Sequence, residues 1–391
     1  MKIFKKFTLW IILASGTLTV MAGTIIAPVL NLLRDELGVD PVSAGLIITT
    51  HAIFMALSSP LIGNLIDRVG VKKPFVFGLV LYGLAGGSGL FITSYWGLIF
   101  SRAILGIAIA AIATSIVVTI LNLYKGAERN KIMGWRESAV SFGGMIWPLI
   151  GGFLGGFSWH FPFAVYFLGI PLGFFALIAM PETHREKIQS TGSVLKVFRI
   201  NPVLFAIYGL LFLTMILLYT IVVFLPQLLE TMGISNPFYI SLFLAVGALS
   251  AGLTSLMYGK IKSRLSYKMI AFIALSLWTV GFTTISQASS SVIIAASVAL
   301  FGVGQGMVIP ATIVWAGERV AISFRGRIIS YLIAFAFIGQ FSSTIIFGPV
   351  SLSLGLNGVF LIAGGICALL LALSVAMRKL IKDGLRILQN L

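Results

Sequence analysis

The chain has 391 residues, 59% of them hydrophobic and 10% charged, a balance that excludes a soluble globular domain and requires an integral membrane protein. Its formal charge of +16 lies in short turns on one side of the apolar segments, which is the positive-inside pattern and not a nucleic-acid groove.

After Met1-Lys2-Ile3-Phe4-Lys5-Lys6, an apolar segment continues for more than 20 residues to Asn31 without a small-residue cleavage site, so it reads as a first span and not a signal peptide. Segments of spanning length follow in order, at about 8–33, 42–65, 74–93, 95–124, 130–156, 161–180, 203–229, 238–259, 268–286, 290–317, 326–351 and 354–377. Apolar runs of this length satisfy their backbone in a bilayer as helices, and the alternation of a membrane barrel is absent. The expectation is therefore an all-α protein of twelve transmembrane helices. Turns after even-numbered spans carry nearly all the lysines and arginines, and both termini are basic, so both ends are expected in the cytoplasm of a cell that holds the protein in its cytoplasmic membrane. The single Cys367 rules out an internal disulfide or a zinc cluster.

The mixed-charge stretch 181–202 divides the chain into a first bundle, 1–180, and a second, 203–391. Shifting the first half by 196 residues places Thr24 on Thr220, Pro41 on Pro237, Gly63 on Gly259, Arg68 on Arg264, Gly106 on Gly302, Gly143 on Gly339 and Gly152 on Gly348. A constant offset through four turns marks a duplicated six-helix unit. Two parallel six-span repeats describe a secondary transporter, with its substrate site near mid-membrane between halves that rock.

The turn Gly63-Asn64-Leu65-Ile66-Asp67-Arg68-Val69-Gly70-Val71-Lys72-Lys73 fills every position of motif A of the major facilitator superfamily, which the chain resembles. The resemblance implies the major facilitator fold of two pseudo-symmetric six-helix bundles, and gating by Gly63, Asp67, Arg68, Gly70, Lys72 and Lys73. It places Asp67 at the start of span 11, where a carboxylate faces the positive end of a helix, so that it latches the halves in one state and releases them in the other. The alternative for the basic residues is an anchor at lipid headgroups. The faded copy, Gly259 to Lys268, has Ser263 where the acid stands.

Arg102 lies inside span 4, roughly 10 Å below the outer surface by helical rise, and a charge at that depth is expected to face the central cavity. Arg102-Ala103-Ile104-Leu105-Gly106 resembles motif B, whose arginine is associated with proton coupling; a structural arginine bonded to helix carbonyls is the other reading. Gly134, Gly143, Pro148, Gly151 and Gly152 match motif C, the antiporter signature, with Trp147 in place of a glycine. These residues leave faces of span 5 nearly without side chains, open to a close helix neighbour, and Pro148 is expected to bend the helix.

Proton coupling needs a group that titrates inside the membrane. His51 is one candidate, at a depth close to Arg102, and it reads equally as a polar residue bonded across helices. Glu137 is the other, in the opposite leaflet, and a local pair with Arg136 is its competing reading. The resemblance makes spans 1, 4, 7 and 10 the cavity wall, with Asn31, Tyr219, Gln305 and Trp315 as candidate substrate contacts. Such a lining suits amphipathic organic molecules.

The reading is a proton-coupled exporter of small amphipathic or hydrophobic compounds; a carrier for one metabolite is the alternative. No metal motif or serine–histidine–acid set can be assembled from three scattered histidines, so a catalytic role is not expected. No cofactor or nucleic acid is called for. The expected partners are a small organic substrate, protons and the lipid bilayer, and a monomer is expected.

Overall fold

The structure, a computed structural model, describes residues 2–124, 126–181 and 194–389, without the side chains of 2–6, 67, 121, 126, 127, 129–131, 194–196, 322–327 and 377–389. The Asp67 carboxylate and the side chains of Arg325 and Arg327 therefore lie outside the described residues, as does most of the stretch 181–202.

Ten helices are long and apolar enough to cross a membrane. In the first half, span 1 covers Phe7–Leu37, span 2 Pro41–Val69, span 4 Tyr95–Leu123, span 5 Gly126–Gly155 and span 6 Phe161–Ala179. Span 3 is Lys72–Gly87, extended by one tight turn, Ser88–Leu90. In the second half, span 7 is Val203–Thr231, span 8 Pro237–Leu256, span 9 Tyr267–Gln287 and span 10 Ser291–Glu318. The last helix is bent at Gly355, where φ is 70°, into spans 11 (322–354) and 12 (356–389), giving twelve spans among the described residues.

The repeat is visible in the way helices begin. Span 2 starts on Pro41, and the Asp40 side chain accepts hydrogen bonds from the Val42 and Ser43 amides; span 8 starts on Pro237, and the Asn236 side chain accepts one from Phe238. Both proline–cap pairs give the first helical residue no amide to satisfy and satisfy the next ones from a side chain. At the other end of span 2, Gly70 of motif A has φ 81°, a backbone that only glycine adopts without strain.

Three boundaries differ from expectation. Span 1 is interrupted: its α-helix ends at Thr24, and the chain passes through a tight turn, Ala27–Val29, before Leu30–Leu37 resumes. Pro28 sits inside that turn, with no amide to continue an α-helical ladder. Beyond span 8, Tyr258–Arg264 forms a separate short helix. Spans 11 and 12 have no loop between them, because one glycine in a left-handed conformation makes the turn. Span 5 is continuous through Pro148.

The two halves meet along spans 5 and 8, spans 2 and 11, and the parts of spans 1 and 7 farthest from the termini. These contacts lie at the end of the bundle opposite the termini. Gly45 leaves room for Val223 and Thr344, Gly348 for Val42, and Gly152 for the Pro237 carbonyl and Ser241. The Thr49 and Thr344 hydroxyls are 3.2 Å apart. Toward the end carrying the termini, Gly63, Gly134, Gly252 and Gly259 have no described atom within 4 Å of the place a Cβ would take. Among the described residues, the close contacts between the halves lie at the end opposite the termini.

Candidate functional site

The break in span 1 organises the middle of the molecule. Where the helix stops, its carbonyls need partners. In the last turn the Ala22 carbonyl accepts from the Tyr166 hydroxyl at 2.7 Å, and one turn earlier the Leu18 carbonyl, already inside the helix, accepts a second bond from the Tyr82 hydroxyl at 2.6 Å. Tyr166 in turn accepts from the Arg102 guanidinium at 3.1 Å, whose other amino group donates to the Gly86 carbonyl at 3.2 Å. The guanidinium carbon lies 5.0 Å from the ring centres of both Phe163 and Tyr166, within cation–π range.

Arg102 is fully buried, and among the described residues it is the one buried charged side chain and has no carboxylate partner. This corrects the expectation that it faces the cavity. It stands behind the wall between spans 3, 4 and 6, held by an oxygen, a carbonyl and two aromatic faces, because those partners offset desolvation that the open cavity would otherwise have to relieve. Its Nε has no hydrogen-bond partner.

His51, on span 2, is a second buried polar side chain packed against span 4. Gly106, one turn beyond Arg102, has no side chain, so span 4 packs directly on the His51 carbonyl and brings Arg102 to the level of His51. The ring Nδ1 lies 2.7 Å from the Ile48 carbonyl and therefore carries the proton of that bond, leaving Nε2 with the lone pair in the neutral ring. A Cβ on Gly23 would lie 3.1 Å from the Tyr219 hydroxyl and 3.3 Å from His51 Cε1. Tyr219, from the second half, thus reaches into the slot that Gly23 leaves in the first, beside His51.

The 196-residue offset separates architecture from chemistry here. Gly302, the counterpart of Gly106, packs in the same way on the carbonyl of Gly247, the counterpart of His51. The glycine contact is kept in both halves. The chemical groups are not: opposite Arg102, His51 and Gly23 stand Val298, Gly247 and Tyr219.

Motif C works on two faces of span 5. Gly143 and Gly151 lie on the Thr17 and Ile25 carbonyls of span 1, Gly151 against the break itself, while Gly152 lies on Pro237 and Ser241 of span 8. Trp147, in place of a family glycine, donates its indole N–H to the Thr17 carbonyl at 2.9 Å, adding a bond across the seam. Gly134 touches nothing within 4 Å.

Several expected site residues lie elsewhere. Asn31 is no cavity contact: it is buried at the closed end, where its amide donates to the Pro226 carbonyl at 2.8 Å across the halves. Trp315 packs inside the second half, stacked on Tyr267 at 5.2 Å, because both lie where spans 9 and 10 meet near the end carrying the termini. Gln305 is half-buried on span 10. Glu137 is exposed and paired with Arg136, far from Arg102. In motif A, Arg68 and Lys73 are exposed and Lys72 half-buried. No motif spacing points to Tyr82, Tyr166 or Gly23; the offset, which sets Gly23 against Tyr219, is the signal that could have found the last.

A profile of the Major Facilitator Superfamily matches residues 12–321 and 236–383. The chain belongs to that family. It is a multi-pass membrane transporter and not an enzyme. Multidrug resistance protein 2 of Bacillus subtilis is 30% identical over 40% of this chain and 39% of its own length, so the chain spans less than half of that relative. The bacillibactin exporter of Bacillus subtilis is 24% identical over 82% of this chain and 83% of its own. The quinolone resistance protein NorA of Staphylococcus aureus is 27% identical over 43% of each. Among solved structures, the nucleoside transporter NupG superposes with a TM-score of 0.78 at 16% identity, covering 95% of this chain and 99% of that one. A bacterial homologue of the lysosomal transporter Spinster, inward-facing and unoccupied, gives 0.74 at 15%, covering 96% of each. At these identities the two superpositions establish the fold alone.

Proposed function

We propose that this transporter exports small amphipathic or hydrophobic organic compounds in exchange for protons, as a monomer in the cytoplasmic membrane with both termini in the cytoplasm. The observation that carries the reading is the one-sided chemistry of the repeat. Arg102 and His51 occupy a place whose glycine packing is duplicated without them, so they serve something other than the fold. An uncompensated buried cation beside an imidazole is a physical basis for moving a proton through the membrane. Motif C, closing on spans 1 and 8 at once, and relatives named as exporters or resistance proteins support the outward direction.

Residues 1–180 and 203–391 act as the two rocking bodies and 181–202 as their connector. With the termini in the cytoplasm, the observed arrangement is the inward-open one, ready to load from inside. Motif A acts at the open end: when the halves close there, Asp67 meets the start of span 11. Asp67→Asn is expected to slow turnover while leaving the substrate dissociation constant unchanged, measured by initial transport rates beside binding to purified protein; an unaltered rate removes the latch.

Everted vesicles test the whole reading. Gradient-driven accumulation of several structurally unrelated amphipathic compounds, abolished by an uncoupler, is the expected result. A response to one metabolite alone would replace it with the single-substrate carrier.

A further inference from the structure

The place where Gly23, His51 and Tyr219 converge has the makings of a headgroup subsite, and its electrostatics select what it takes. The Tyr219 hydroxyl and the His51 Nε2 make no hydrogen bond among the described residues, although both side chains lie in the buried interior. Both approach the bare backbone of Gly23 at the break in span 1. One is a donor and acceptor, the other, when neutral, an acceptor with its tautomer fixed by the Ile48 carbonyl. Behind them stands Arg102, and no buried carboxylate balances it among the described residues.

A cationic headgroup entering here meets an unscreened like charge in a low-dielectric interior and no acid to pair with. An anionic headgroup meets the opposite difficulty. It binds best when His51 is protonated, and by reciprocity substrate and proton then ride together in one direction, which is contrary to exchange. An uncharged headgroup that donates to Nε2 and accepts from the tyrosine hydroxyl occupies the atom the proton needs. Binding of one excludes the other, and exclusion is what exchange requires.

We propose that Tyr219 and His51, meeting at Gly23 in front of Arg102, form a headgroup subsite for uncharged amphiphiles that present a hydrogen-bond donor and acceptor together, such as alcohols, phenols and amides, and that it rejects quaternary cations. The inference rests on the exchange reading above. Among the described residues, the charged and titratable groups around His51 are Arg102 from span 4, with Tyr166 from span 6 on the guanidinium and Tyr82 from span 3 against Tyr166, and Tyr219 from span 7; spans 1, 2 and 11 add none at this level.

The test uses the full chain in nanodiscs and three probes with one hydrophobic body: pyrenebutanol, pyrenebutanoate and pyrenebutyl-trimethylammonium. Binding is read by energy transfer from tryptophan and checked by equilibrium dialysis. The alcohol is expected to bind, and the ammonium probe to stay at the level seen with empty nanodiscs. Tyr219→Phe should weaken the alcohol by about 3- to 10-fold, the worth of one hydrogen bond. Affinity for the alcohol should fall as pH is lowered, and that dependence should disappear in His51→Gln. Gly23→Ala, whose methyl falls between the two groups, should abolish alcohol binding; a role in packing alone would leave Tyr219→Phe without effect on the alcohol. Ammonium binding as tight as alcohol binding overturns the proposal. So does a carboxylate probe that binds best and tightens as pH falls. Because binding is measured without transport, absence of proton exchange in vesicles would remove the export reading and leave this selectivity pattern standing.

Discussion

A guanidinium with no counter-ion is costly in a membrane interior, and Arg102 shows how few groups suffice to hold one. One tyrosine oxygen and one glycine carbonyl accept from its two amino groups and two ring faces lie against its charge, while its Nε is left without a partner. Its depth was legible from its position in span 4, and its direction was not. A helical rise gives depth, whereas facing depends on neighbours such as Tyr166 that are distant in the chain. Asp40 offers a cleaner single-residue test, since it lies in the turn between spans 1 and 2. Partial burial pushes its carboxyl up, and bonds from the Ser43 hydroxyl and from the Ser43 and Val42 amides outweigh this, so its pKa is lowered. A carboxylate whose folded pKa lies below its unfolded one adds stability above the ordinary carboxylate range and loses it as pH falls through the lowered value. Asp40→Ala is expected to cost about 0.5–2 kcal/mol at neutral pH. Asp40→Asn should keep most of the cap while removing its acid sensitivity, and thermal unfolding across pH in detergent distinguishes the three proteins.

At the scale of elements, span 5 depends on its glycines unequally. A methyl at Gly151 would fall on the Ile25 carbonyl, whereas one at Gly134 would meet nothing. Gly151→Ala is expected to destabilise the packing of span 5 on span 1 by about 1–3 kcal/mol, as overpacking does. Gly134→Ala should be neutral or slightly stabilising, because alanine is the better helix former. Melting temperatures of the two variants, side by side, check the contrast. Element positions were legible because each span is a long apolar run, and the duplication fixed their pairing. The break in span 1 was hidden, since Pro28 lies within an unbroken hydrophobic stretch and the hydroxyl that takes up a carbonyl of the last turn, that of Tyr166, comes from another helix. Asn31 misled for a related reason: a polar residue on a cavity-lining helix faces the cavity only if the helix keeps its phase to that depth.

For the molecule as a whole, the closed end is held by helix packing, and few polar bonds cross the halves there. Arg34 donates to Glu230 at 2.9 Å across the halves and to its own neighbour Asp35 at 2.7 Å. Both Arg34 and Glu230 are partly exposed, so the pair contributes on the order of 1 kcal/mol or less. Arg34 and Glu230 are equivalent positions of the repeat, as are Asn31 and Gln227. The Asn31 and Gln227 side-chain carbonyls are buried without a partner, which offsets part of what the other contacts contribute. Glu230→Gln is expected to shift the population toward an open outer end, read as a longer distance between spin labels on the outer tips of spans 2 and 11. Exchanging the two charges, Arg34→Glu with Glu230→Arg, should restore much of the short distance; failure of both would show that the ion pair does not hold the halves.

The interruption at Thr24 has a mechanical consequence. A continuous rod must tilt as one piece, but span 1 is jointed between Thr24 and Leu30. Below the joint, Thr17 is tied to Trp147 of its own half; above it, Asn31 and Arg34 are tied to Pro226 and Glu230 of the other. The upper segment is therefore held by both halves at once, since Val29 also packs on Gly155 of span 5. Gly23, where Tyr219 and His51 converge, lies directly before the joint, so any change of angle there would be felt as a change in the distance between these two side chains.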